Sequence, residues 1–219
     1  MVAENAMEII VPTLFDVMLT DIGLQVQTVP KMHADQLFTF FKNHKLFNWH
    51  NTNNCCEGRA DAVCVLLETW GIPNYKGWVF SGAYLKNHIG GLKQNWKYHV
   101  APILPVDVDG KLLHYVLDPA TADTLQLVED WAAGITLLPH SYYFFSQAHW
   151  YIFPGNNIGT ATWNTRNKQN RKWMIQCLAG INGLSNTGKA KLCFGKARIK
   201  KTLSAFELAK REKPFLSLD

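Results

Sequence analysis

Apolar residues recur at helical spacing between 55 and 70, where Cys56, Ala60, Val63, Cys64 and Leu67 fall on one face. The stretch has no proline and one early glycine, Gly58, and Gly71-Ile72-Pro73 follows it, so the pattern predicts a helix from Cys55 to Trp70. Asn53 and Asn54, just upstream, are its expected caps. Leu37, Phe38, Phe40 and Phe41 predict an amphipathic helix over Ala34 to His44. A short helix is expected over Leu127 to Ala133, and another over Asn167 to Leu178, ending before Gly180. Near the end, Ile199, Leu203, Phe206 and Lys210 read as an amphipathic helix with a Lys-rich solvated face.

The period shortens elsewhere. Tyr98, Val100, Ala101, Ile103 and Leu104 form a β-rich run, and Pro102 and Pro105 predict that it borders an edge or ends there. Lys111 to Leu117 is the next strand, and Asp109-Gly110 between the two is a strong hairpin turn signal. Trp78 to Phe80, Tyr142 to Phe145 and Trp150 to Phe153 are further strand candidates, with a loop over Pro154 to Thr160. The Gly-rich stretch Ile181 to Gly188 connects two helices. No internal repeat or low-complexity linker interrupts the chain, so the expectation is one α+β domain over 1–219, with a helix packed on an antiparallel sheet. Residues 1 to 32 are apolar enough to pack, either in the core or as a cover over a cleft.

Composition narrows the class. A chain of 219 residues with 47% hydrophobic and 18% charged content can bury a substantial core. No stretch approaches the roughly 20 apolar residues of a membrane span. Glu4 and Glu8 interrupt the early residues, which argues against an intact signal peptide. The expected location is therefore cytoplasmic, or outside by a signal-independent route, including action inside a target cell. The charge is mildly basic, 22 Lys and Arg against 17 Asp and Glu, with the excess in Arg166 to Lys172 and Lys189 to Lys201. Helical amphipathicity accounts for much of it, so no nucleic-acid partner is expected; a basic surface could also steer acidic proteins to the chain. Cys55, Cys56, Cys64, Cys177 and Cys193 form neither a CxxC pair nor a metal-spaced cluster, which predicts no metal and no disulfide framework.

Three segments carry candidate chemistry. Cys56 would sit in the first helical turn, where unpaired N–H groups and the helix dipole favour a thiolate and could hold an oxyanion. His99 would start a strand. If the Asp109-Gly110 hairpin pairs that strand with the next, Asp118 returns to the neighbourhood of His99 and can fix its tautomer. Singly, a helical Cys is usually a small buried hydrophobe, a strand His is usually packed or exposed, and Asp-Pro commonly opens a turn. Together, in this order, they form a Cys-His-Asp nucleophilic site. Asn53, Asn54 or Gln94 could supply a side-chain oxyanion donor, and spacing alone does not choose among them. Of Trp49, Trp70, Trp78 and Trp96, Trp96 is the best substrate-cleft candidate, whereas Trp70 and Trp78 read as core.

These segments resemble the bacterial protein-glutaminases. The family's Cys-x-x-Arg-Ala pattern is matched by Cys56-Glu57-Gly58-Arg59-Ala60, which selects Cys56 over Cys55. Its Trp-x-Tyr-His-Val-Ala pattern is matched by Trp96 to Ala101, and its aliphatic-Asp-Pro pattern by Leu117-Asp118-Pro119. The resemblance covers roughly residues 50 to 120, with the His segment its most specific part. Glu57 departs from the family, which carries an aromatic there.

The resemblance implies a papain-like or transglutaminase-like core that deamidates glutamine side chains in proteins or peptides, with Cys56 as nucleophile, His99 as base and Asp118 as its orienter. Ammonia leaves, a thioester forms, and water hydrolyses it without any cofactor. The partner implied is a glutamine-bearing protein or peptide. Transglutamination and peptide or amide hydrolysis use the same triad, and a non-catalytic interaction domain is the alternative of another class.

Overall fold

The computed structural model describes residues 27–51, 55–80, 98–135, 142–151, 168–183 and 195–214. In chain order these form β1 (Val29–Pro30), α1 (Lys31–Asn43), α2 (Cys56–Thr69), β2 (Tyr75–Phe80), β3 (His99–Val108) and β4 (Lys111–Val116). There follow β5 (Gln126–Leu127), α3 (Val128–Ile135), β6 (Tyr142–Gln147), α4 (Lys168–Ile181) and α5 (Lys196–Ala209). The strands make one mixed sheet in the order β5-β4-β3-β2-β6, antiparallel along that path, with β1 added parallel to β3.

Both faces of β3 are covered, which is why its sequence reads as a nearly continuous apolar run rather than an alternating one. Leu104 and Val106 join the helical core with Leu37 and Phe41 of α1, Leu66 and Leu67 of α2, Leu178 of α4 and Phe206 of α5. Ala101 and Ile103 turn to the other face, with Val79, Val116 and the α3 residues Val128, Trp131 and Ile135. β3 is central, so its prolines do not mark an edge as expected. They stand where a partner strand runs out. Pro105 falls between the last β2 register, Ile103 with Tyr75, and the first β1 register, Val106 with Val29. Pro102 lies one residue beyond the last β4 register, Ile103 with Val116, and its carbonyl accepts the Leu117 N–H at 2.9 Å. Neither proline is therefore asked for the ladder donor it lacks.

The β3–β4 hairpin forms where the Asp109-Gly110 signal places it. Both residues have positive φ, 54° and 77°, and the Asp107 carboxylate accepts the Gly110 N–H at 2.8 Å. The helices over 31–43, 56–69, 128–135 and 196–209 match their sequence patterns. α4 instead runs through Gly180, which is buried, to Ile181; packing against α2 and α5 overrides the glycine's weak helix propensity. Trp150 and Tyr151 are not in a strand; Ile152, Phe153 and the expected loop over Pro154 to Thr160 lie outside the described residues, as do residues 1–26.

Two contacts fix α2 in place. Gly58 faces α4 so closely that a Cβ on it would stand 2.5 Å from Cys177 Cβ. On the sheet side, Lys76 of β2 is fully buried and its ammonium donates to Asp61 of α2 at 2.9 Å and to the Trp150 carbonyl. A charged pair this deep persists only because each partner satisfies the other. Among the described residues no helix is long and apolar enough to cross a membrane.

Candidate active site

Cys56 is the first residue of α2. The N-cap position belongs to Cys55, whose φ of 66° and ψ of 28° put it in the left-handed region and whose side chain makes no capping bond. For a residue with a Cβ that turn costs roughly 1–2 kcal/mol. Its carbonyl accepts the Arg59 N–H at 3.1 Å and so begins the helix. Asn53 and Asn54, expected as caps, lie outside the described residues, as do Gln94 and Trp96.

The chain reaches Cys55 through a segment held by Arg59. Its guanidinium, buried one helical turn after Cys56, donates from Nε to the Phe47 carbonyl at 2.9 Å and from Nη2 to the Asn48 carbonyl at 3.0 Å and the Asn51 carbonyl. It also lies over the Trp49 ring at 5.7 Å. Burial lowers the Arg59 pKa from its ordinary value, against the opposing pull of Cys55, Cys56 and Asp118. Asn48 and Asn51 complete the anchor by donating to the Ile181 carbonyl at 2.7 and 3.3 Å.

His99 is the first residue of β3, and Asp118 stands two residues past β4. Both are buried, and His99 Nε2 lies 2.8 Å from Asp118 Oδ2. The same carboxylate oxygen accepts the Thr121 hydroxyl and, at 3.1 Å, the Trp131 indole N–H, while Trp131 also reaches the Thr121 hydroxyl at 3.0 Å. Burial alone would raise the Asp118 carboxyl, but the His99 charge and the bonds from His99, Thr121 and Trp131 hold it below the usual range.

Cys56, Arg59, His99, Val100, Asp118 and Trp49 border one small recess. The structure thus gathers the thiol, the imidazole and the carboxylate around a single space, with Trp49 as an aromatic wall. Trp70 and Trp78 are core residues, their indoles donating to the Lys210 carbonyl at 2.9 Å and the Ser146 hydroxyl at 2.8 Å. Among the described residues no group of His, Cys, Asp and Glu could hold a metal.

The electrostatics at the sulfur differ from the sequence expectation. Helix position alone would favour a thiolate. Here burial pushes the Cys56 thiol up, and the Glu57 carboxylate, with Oε2 at 3.6 Å from Sγ, adds to the shift; the Val100 backbone amide and Arg59 oppose it without cancelling it. Glu57 Oε1 accepts the Tyr98 hydroxyl. Sequence reasoning missed Thr121, Trp131 and the Glu57–Tyr98 pair. Thr121 had a local signal, since its N–H closes a turn on the Asp118 carbonyl at 3.1 Å. Trp131 had none, because only the fold carries it back to Asp118.

Residues 34–135 match the protein family described as glutaminase, a segment that contains Cys56, His99 and Asp118. No curated protein matches the chain. Among solved structures, the fold is similar to a crystal structure of protein-glutaminase, at 16% identity and a TM-score of 0.60, covering 79% of this chain and 98% of that one. It is similar to the NMR structure of protein-glutaminase from Chryseobacterium proteolyticum at 15% identity and a TM-score of 0.54, covering 78% and 96%. A crystal structure of pro-protein-glutaminase matches at 16% identity and a TM-score of 0.58, covering 78% of this chain and 67% of that one. Over residues 34–135 the chain thus matches the glutaminase family, on a fold similar to that of solved protein-glutaminases.

Proposed function

We propose that this protein is a cysteine-dependent deamidase that converts glutamine side chains of proteins or peptides to glutamate, with 1–219 acting as one catalytic domain on a papain-like core. The observation that carries this reading is the buried 2.8 Å His99–Asp118 pair bordering the recess that Cys56 also lines. The glutaminase match over residues 34–135 supplies the substrate class.

Asp118 engages Nε2 of His99, which directs Nδ1 to the thiol as base. Cys56 Sγ gives its proton to His99 and attacks the carboxamide carbon. The Cys56 backbone N–H, free of an intrahelical acceptor by its place in the first turn, stabilises the oxyanion together with a second donor. His99 passes the proton to departing ammonia, and water then hydrolyses the thioester, with His99 again the base. Asp118, depressed and buried, stays ionised and stabilises the imidazolium in both halves. Nucleophile, base and electrostatic support all come from side chains and backbone.

The test is ammonia release from a glutamine-rich unfolded protein, followed by peptide mass spectrometry for wild type and Cys56→Ala, with and without a primary amine. Glutamine converted to glutamate only when Cys56 is present supports the reading. Amine incorporation would move the assignment to transglutamination, and chain cleavage to a peptidase. Conversion that survives in Cys56→Ala would remove the nucleophile.

A further inference from the structure

Glu57 lies between two hydroxyl or thiol donors. Oε1 accepts the Tyr98 hydroxyl, and Oε2 faces the Cys56 thiol at 3.6 Å, within reach of an S–H···O contact. Tyr98 immediately precedes His99, so the two candidate acceptors for the thiol proton, Glu57 and His99, approach Cys56 from neighbouring positions. We propose that Glu57 is a positioning residue: pinned by Tyr98, its carboxylate accepts the Cys56 S–H in the resting site, stores the nucleophile as a thiol, and releases it to His99 when substrate enters. This rests on Cys56 being the nucleophile.

The surrounding charges fit that role. The sulfur meets Glu57 and Arg59 from α2 and the Val100 backbone amide and Tyr98 from the β3 side; His99 and Asp118 border the same recess, and Cys177 of α4 and Tyr151 act on Glu57. Arg59 is turned toward the Phe47, Asn48 and Asn51 carbonyls. Asp118 Oδ2 is engaged by His99, Thr121 and Trp131. Glu57 is therefore the carboxylate that acts on the sulfur directly, and it opposes the thiolate both by charge and by holding the proton. A glutamine carboxamide brings two N–H donors that can replace the thiol on Oε2, which frees the S–H for His99. The arrangement keeps a reactive thiolate out of the empty site, where oxidation follows thiolate character.

The experiment is the pH dependence of iodoacetamide alkylation at Cys56, located by peptide mass spectrometry, in wild type and Glu57→Gln. The midpoint is expected to fall by about one pH unit in Glu57→Gln, giving roughly tenfold faster alkylation near neutral pH. Glu57→Ala, which removes the carboxylate without adding a donor, moves the midpoint the same way. The acidic limb of kcat/KM for glutamine conversion moves with it, a change that a purely structural residue would not cause. An unchanged or raised midpoint in both variants overturns the proposal and leaves Cys56-dependent deamidation untouched. Deamidation that persists in Cys56→Ala would instead sink the reading beneath it.

Discussion

Nineteen positions separate His99 from Asp118 in the chain, yet His99 Nε2 and Asp118 Oδ2 stand 2.8 Å apart. The cause is the hairpin. Ile103 pairs with Val116, and continuing that register by two residues brings Asp118 opposite Ala101, on the sheet face that His99 shares. Diagonal neighbours across two antiparallel strands lie within reach of long side chains. A turn of one more or one fewer residue would move Asp118 to the opposite face and break the pair.

Asp118→Asn keeps the shape of the side chain and removes its charge. We expect kcat for glutamine conversion to fall by about two to four orders of magnitude, with little change in KM, because the imidazolium loses its stabilising partner. Steady-state ammonia release, with circular dichroism to verify the fold, checks this.

The same residue sets a pH signature. Its carboxyl is held below the ordinary 3.8 in the folded state, so its contribution to stability is present above that value and is lost as pH falls through the lower, folded one. Urea unfolding of wild type and Asp118→Asn should therefore differ near neutral pH and converge in acid. A gap that widened on acidification would contradict the assignment.

Arg59→Lys retains a cation but not the fork that serves three carbonyls. We expect a loss of about 2–4 kcal/mol in chemical denaturation, since buried acceptors of Phe47 and Asn51 lose their donor. Activity should fall with it, because this segment leads to the Cys55 turn.

Removing Asp61 strands the Lys76 ammonium, which is fully buried. Asp61→Ala should cost about 3–5 kcal/mol, whereas Asp61→Leu combined with Lys76→Met should recover much of the loss. A double variant no better than Asp61→Ala would show that the pair is not the source of the cost.

Gly58→Ala adds a methyl 2.5 Å from Cys177 Cβ. Despite the better helix propensity of alanine, the net effect should be a loss of about 1–3 kcal/mol, read by thermal melting. Cys177→Ala leaves the offending Cβ and should not relieve it; Cys177→Gly should.

Much of this architecture is written locally. The apolar spacing of Cys56 to Leu67 specifies a helix, which the fold then buries on nearly every side, from Gly58 to Cys64 and at Leu66 and Leu67, and Asp109-Gly110 makes a hairpin because that pair readily takes positive φ. That hairpin alone brings Asp118 toward His99. Tertiary structure decided the rest, where distant segments compete for the same groups. It made β3 central despite its prolines, by ending β2 before Pro105 and β4 before Pro102. It carried α4 through Gly180, since buried packing outweighs propensity. It brought Thr121 and Trp131 onto Asp118, and Tyr98 onto Glu57 beside the sulfur. Residue order determines which elements form and in what register they turn back. The ionisation of a thiol depends on how much water and which charges surround it, and those are known only once the chain has closed around Cys56.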